Sequence, residues 1–157
     1  MRIALYQGTS TISRLIRWQT RSKYSHAAFL ADDGTVIEAW QPEVRMVSNL
    51  STQHTPGTLV DIFEFKQRLT AAEDERLWKL ALDDRGIPYD YTGVLRFVTR
   101  LPENERRKSK LFCSEQVFSR CAMIGRHLLE RTEAWRVPPD WISRSSLLVP
   151  ALSIRTT

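Results

Sequence analysis

Apolar and polar positions change their period along this chain, and each change predicts an element. Ile3 to Gln7 reads as a short strand that stops at Gly8. Ser10 then offers a helix cap, ahead of Ile12, Leu15, Ile16 and Gln19 on one face and Arg14, Arg17 and Arg21 on another. This pattern predicts an amphipathic, basic helix whose apolar stripe packs into a core and whose charged face meets water. Residues 24–31 and 35–40 are two strand-forming runs around Asp32-Asp33-Gly34, a strong hairpin signal. Pro42 interrupts before another strand over 43–47, and Leu59–Phe65 gives one more. The segment 48–58 reads as a polar loop, with no evident partner for His54.

The second half is more helical. Thr70 caps a helix with Glu73, Asp74 and Glu75 in its early turns, an apolar face of Leu77, Trp78, Leu80 and Ala81, and a stop at Gly86. Ile87-Pro88-Tyr89-Asp90-Tyr91-Thr92-Gly93 reads as a rigid aromatic turn, followed by a short helix over 94–98 and a basic link to Lys110. Apolar residues at Val117, Cys121, Ile124 and Leu128 then recur with a helical period. Val137-Pro138-Pro139-Asp140-Trp141 breaks the chain before a short helix and an apolar tail over 147–154. No repeat, low-complexity tract or domain boundary interrupts residues 1–157, which predicts one domain.

Composition narrows this picture only a little. With 42% hydrophobic and 26% charged residues the chain is ordinary for a soluble globular protein. A net charge of +5 is a modest field, and no aromatic platform or DNA-reading motif accompanies the basic helix, so nucleic acid is not an expected partner. Two separated cysteines make no disulfide framework, and histidines at 26, 54 and 127 make no zinc signature. No metal and no cofactor is expected. The apolar run at the N-terminus is too short for a signal peptide and no segment is long enough to span a bilayer, so a cytoplasmic protein is expected unless a specialised machine exports it. The sequence carries no signal for an oligomeric state.

Candidate chemistry begins at Phe112-Cys113-Ser114-Glu115-Gln116, where a basic segment meets the start of a helix. The positive end of a helix and nearby Lys and Arg favour thiolate over thiol. Phe112 can staple onto Val117, and Gln116 stands where a capping box would place it. Glu115 works the other way. Read alone, Cys113 is a small buried hydrophobe, as most free cysteines are. Arg106, Arg107, Lys108 and Lys110 would draw anionic substrates toward it.

The hairpin supplies the missing partner. If Ala31 pairs with Thr35 around a three-residue Asp32-Asp33-Gly34 loop, Glu38 lies opposite Ala28. It is then a same-face diagonal neighbour of His26, about 7 to 8 Å away along the backbone. A two-residue Asp33-Gly34 turn would put the two on opposite faces, and His26 would be an isolated strand histidine. With the longer turn, the imidazole can take the thiol proton and the carboxylate can orient the ring.

The order of His26 in Tyr-Ser-His-Ala-Ala-Phe, Glu38 in Val-Ile-Glu-Ala, Pro88-Tyr89-Asp90 and Phe112-Cys113-Ser114-Glu115 resembles the circularly permuted papain-like hydrolases of the YiiX/YaeF group. These are relatives of NlpC-type cell-wall peptidases and, more distantly, of lecithin retinol acyltransferase. The resemblance implies an α+β papain-like domain, with an antiparallel sheet packed against a cysteine-bearing helix. It also implies Cys113 as nucleophile, His26 as base and Glu38 as the orienting acid. Substrate would lie against Trp40, Tyr89 and Tyr91, with Gln7 or Tyr6 as a second oxyanion donor. The implied activity is an amidase or peptidase acting through an acyl-enzyme on a small peptide or peptidoglycan-like substrate. A lipid hydrolase or acyltransferase using the same triad on an acyl substrate, and a non-enzymatic module with a basic face, stand as alternatives.

Overall fold

The structure is a computed structural model, and it describes residues 1–91 and 110–157. Its centre is a six-stranded antiparallel sheet built from β1 (Arg2–Gln7), β2 (His26–Leu30), β3 (Val36–Ala39), β4 (Val44–Val47), β5 (Leu59–Phe65) and β6 (Leu148–Arg155), in the order β4-β3-β2-β1-β5-β6. Among the described residues the helices are α1 (Thr11–Thr20), α2 (Ala71–Asp83), α3 (Cys113–Met123) and α4 (Pro139–Ser143), with a 3-10 turn at Ala134–Arg136. This is an α+β architecture. No helix among the described residues is long and apolar enough to cross a membrane.

Alternation along the central strands gives both faces of the sheet an apolar cover. Ile3, Leu5, Ala27, Phe29 and Ile37 point to the side where Leu77 and Ala81 of α2, Val117, Phe118 and Cys121 of α3 and Ile142 of α4 complete the larger core. Ala4, Tyr6, Ala28, Leu30 and Val36 point to the other side and pack with Leu50, Val60 and Ile62. Segment 48–58 therefore does more than connect strands, since Leu50 from it closes the second core. The apolar tail is β6, a strand added beside β5, where the sequence showed only hydrophobicity.

Helix α3 is held at several levels. Ser114 Oγ donates to the Val137 carbonyl at 2.6 Å, and Gln116 Nε2 donates to Asp84 Oδ2 at 3.2 Å. Arg120 grips the same Asp84 at 2.5 Å. Phe112 occupies the cap position in extended conformation and has no side-chain oxygen to accept a bond. The expected capping box is thus not formed, and Gln116 is committed to Asp84 at the end of α2. By contrast, α2 does carry a complete capping box between Thr70 and Glu73.

The strongest departure from expectation is α1. Ser10 caps it as anticipated, accepting from the Ser13 N–H, but none of its residues is buried. Ile12, Leu15 and Trp18 are 65%, 46% and 73% exposed. The apolar stripe packs into no core because the sheet's two faces are already covered by other elements. Gly8 sets the approach of this helix: a Cβ there would lie 2.4 Å from Ser13 Oγ and 2.7 Å from Ser25 Oγ. The short helix expected over 94–98, and the basic run except Lys110, lie outside the described residues.

Asp61 ties together the segments that lead into β2. Its carboxylate accepts from Tyr24 Oη at 2.6 Å, Lys23 Nζ at 2.8 Å, Gln7 Nε2 at 3.1 Å and Ser153 Oγ at 2.5 Å. Burial pushes its pKa up, but the bonds from Lys23, Ser153 and Tyr24 outweigh this and bring it down to about 2. A depressed folded pKa stabilises the fold fully above the unfolded value near ~4 and is lost as pH falls toward 2. Asp61→Asn should therefore cost about 1–3 kcal/mol at neutral pH. In urea melts the gap from wild type should close between pH 4 and 2; a gap constant over that window would refute the assignment.

Candidate active site

The longer hairpin turn is the one that forms. Phe29 pairs with Ile37 and Leu30 with Val36, and Ala31 N–H donates to the Thr35 carbonyl at 2.8 Å. In this register Glu38 shares a face with His26, and Glu38 Oε2 lies 2.6 Å from His26 Nε2. Nδ1 is the ring nitrogen left for the Cys113 sulfur, which is hydrogen-bonded to the His26 side chain. Cys113 reaches it because α3 packs over β2 with its first residue at the end where β2 begins.

The electrostatics are those of an ion pair. Burial would raise the Cys113 pKa, but the neighbouring His26 charge, its hydrogen bond and the N–H groups of Ala27 and Ser114 lower it overall. Burial would lower that of His26, yet the Cys113 sulfur and the Glu38 carboxylate raise it to about 9. For Glu38, burial pushes upward and the bonds from His26 and His54 win, leaving it well below the usual carboxylate range. Cys121, buried among apolar side chains in the same helix, has its thiol pushed up by burial alone.

Two residues to which the sequence reading gave no role complete the site. His54 Nε2 lies 3.2 Å from the same Glu38 oxygen, and its ring stacks on Tyr6 at 4.1 Å. Arg45 holds the other oxygen, Oε1, through Nε at 3.0 Å and Nη2 at 2.6 Å, and also bonds Gln53 Oε1. Arg45 was readable in principle, since it sits directly across from Glu38 on the neighbouring strand. His54 was not, because it arrives from an irregular loop. Burial holds the His54 pKa down, so His54 serves as a neutral donor while His26 carries the charge.

The aromatic residues expected around substrate fall beside His26. Trp40 lies edge-on to His26 at 4.9 Å between ring centroids and beneath the Arg45 guanidinium at 5.0 Å. With Tyr89 and Tyr91 it lines a groove of about 360 Å³ that contains His26 and continues along Ile12, Leu15 and Ile16 of α1. Gln7 is not on this groove, and its amide donates to Asp61 instead. Tyr6 is buried, and its hydroxyl has no hydrogen-bond partner among the described residues.

No protein-family model matches this chain, and no curated protein matches its sequence. Among solved structures, it is similar to the metalloprotein YiiX from Escherichia coli O157:H7. The TM-score is 0.73 at 17% identity, over 96% of this chain and 94% of that one. The chain therefore has the YiiX fold, as its sequence resemblance to that group led us to expect.

That description raises the question of a metal. His26, Glu38 and His54 bring ligand-type atoms within 4.8 Å of one another, a grouping that their scattered positions in sequence do not reveal. Ligands at ~2.0–2.1 Å from a tetrahedral zinc stand roughly 3.3 Å apart. The 2.6 Å between His26 and Glu38 is a hydrogen-bond distance, and the Arg45 cation already holds the second oxygen. As arranged, these side chains satisfy one another and do not fit a tetrahedral zinc.

Two outcomes are expected from this geometry. Iodoacetamide at pH 6.5–8 should modify Cys113 in the folded protein well before Cys121, and the rate should not climb through the ordinary thiol pKa near ~8.5. Equal labelling of the two sulfurs by peptide mapping would remove the ion pair. Arg45→Ala, which strands a buried carboxylate, should cost about 3–5 kcal/mol in chemical denaturation; a loss below 1 kcal/mol would show that His26 and His54 suffice.

Proposed function

We propose that this protein is a thiol-dependent hydrolase with a permuted papain-like domain spanning residues 1–157, cleaving an amide or ester through an acyl-enzyme on Cys113. The observation that carries this reading is the Cys113–His26–Glu38 relay, with a lowered thiol pKa, a raised imidazole pKa and a buried carboxylate on the far nitrogen. Structural ion pairs perturb pKa values too. Here the perturbed groups adjoin an open groove lined by aromatic residues, as a reacting site requires.

The thiolate of Cys113 adds to the substrate carbonyl carbon, forming the S–C bond and moving the carbonyl electron pair onto oxygen. The N–H at the start of α3 faces that developing charge, with the helix dipole behind it. Collapse of this intermediate breaks the bond to the leaving amine or alcohol, which takes the proton held on His26. Water then adds to the thioester, giving its proton to the neutral imidazole, and the carboxylic acid leaves as the thiolate and imidazolium are restored. Glu38 does not accept a proton at any step. It fixes the ring and stabilises its charge, while His54 and Arg45 keep the carboxylate ionised and in place.

Hydrolysis of a panel of peptide and acyl-ester substrates tests the reading. Cys113→Ala and His26→Ala should abolish turnover, and Glu38→Gln should reduce it less severely while the fold persists, because an amide keeps the hydrogen bond but not the charge. Activity retained by Cys113→Ala, or wild-type turnover in a folded Glu38→Gln protein, would overturn the assignment.

A further inference from the structure

The exposed apolar face of α1 has the composition of a surface that meets lipid. Ile12, Leu15 and Ile16 follow helical spacing, and at about 100° per residue Trp18 falls between Leu15 and the arginine face of Arg14, Arg17 and Arg21. Apolar residues on one side, an aromatic at the boundary and arginines on the other describe a helix lying in a membrane interface. The expected alternative, a core stripe, is excluded by exposures of 65% at Ile12 and 73% at Trp18.

Charge selects the partner. The first 31 residues hold Arg2, Arg14, Arg17, Arg21 and Lys23 and no carboxylate. Arg2 pairs with Asp32 and Lys23 with Asp61, whereas no carboxylate lies within ion-pair distance of Arg14, Arg17 or Arg21 among the described residues. A second copy of this chain would bring the same cations against one another. An anionic lipid surface complements them, and its acyl chains complement Ile12 and Leu15.

The groove continues this surface to the reacting atoms. Ile12, Leu15 and Ile16 of α1 line it together with Trp40, Tyr89, Tyr91 and His26. We infer that α1 seats the protein on an anionic bilayer and that the groove takes the acyl chain of a lipid ester or amide from it, bringing the carbonyl to Cys113. The docking stands on α1 alone, while the acyl-chain role rests on the hydrolase reading above.

Flotation of the full chain with vesicles tests docking, and ester cleavage tests the groove. The protein should float with 1:1 phosphatidylglycerol–phosphatidylcholine vesicles, less so at 0.5 M salt, and at least tenfold less with phosphatidylcholine alone. Trp18→Ser combined with Arg14→Gln and Arg21→Gln should lose flotation at least tenfold. That variant should keep wild-type cleavage of p-nitrophenyl acetate in solution and lose cleavage of the decanoate presented in vesicles. Ile12→Glu should lose flotation and favour acetate over decanoate at least tenfold more than wild type does. Equal flotation on neutral and anionic vesicles, or flotation unchanged in the triple variant, overturns the docking. So does sedimentation showing that the triple substitution splits a dimer. Absence of ester cleavage by wild type alongside anion-dependent flotation would overturn the hydrolase reading and the groove assignment and leave docking supported.

Discussion

Everything at this site depends on keeping one carboxylate charged inside the protein. Glu38 is 0% exposed, and an isolated carboxylate there would take up a proton rather than bear the loss of hydration. Three side chains prevent this: His26 and His54 on one oxygen, and Arg45 on the other. The Cys113 sulfur and, after it, the charge they retain raise the imidazole pKa, and the imidazolium lowers that of the thiol. Removing water from the pair strengthens each interaction, and at Cys113 the His26 charge and hydrogen bond outweigh the burial that by itself would raise the thiol pKa.

The fold supplies this arrangement by joining two rigid pieces. The hairpin of β2 and β3 fixes the distance from His26 to Glu38, since their register is set by backbone pairing and not by side-chain choice. Helix α3 brings Cys113, anchored through Ser114 to Val137 and through Gln116 and Arg120 to Asp84. Those anchors lie one, three and seven residues from Cys113, with Ser114 on one side of the helix and Gln116 and Arg120, four residues apart, on another. They restrain both rotation and translation of its first turn, and near-attack geometry needs both. The network at Asp61 does the same for the chain entering β2.

Opposite this rigid centre lies a surface the fold leaves uncovered. The sheet buries both faces without α1, so the helix is free to present Ile12, Leu15 and Trp18 outward. It also forms a wall of the groove that reaches His26. The helix adds nothing buried to the core, yet Ser10 caps it and Gly8 permits its close approach.

The sequence by itself determined what local rules govern. Asp32-Asp33-Gly34 marked the hairpin, and strand alternation placed Glu38 beside His26 once the turn is three residues long. Thr70 and the change of period at Cys113 marked where α2 and α3 start, but not where they end: α2 stops at Asp83, before Gly86, and α3 at Met123, so that Leu128 lies beyond the helix its period suggests. Turns and helix starts are short-range choices, made by turn chemistry, capping and period. Tertiary structure alone decided whatever depends on which surfaces were still free. It gave His54 a partner through a loop with no period, turned the apolar tail into β6, and left the stripe of α1 facing out. A helical pattern shows that one face is apolar; what that face meets depends on how other segments have already covered the sheet. For the same reason no capping box formed at Gln116: the cap residue is Phe112, and the Gln116 amide donates to Asp84 at the end of α2.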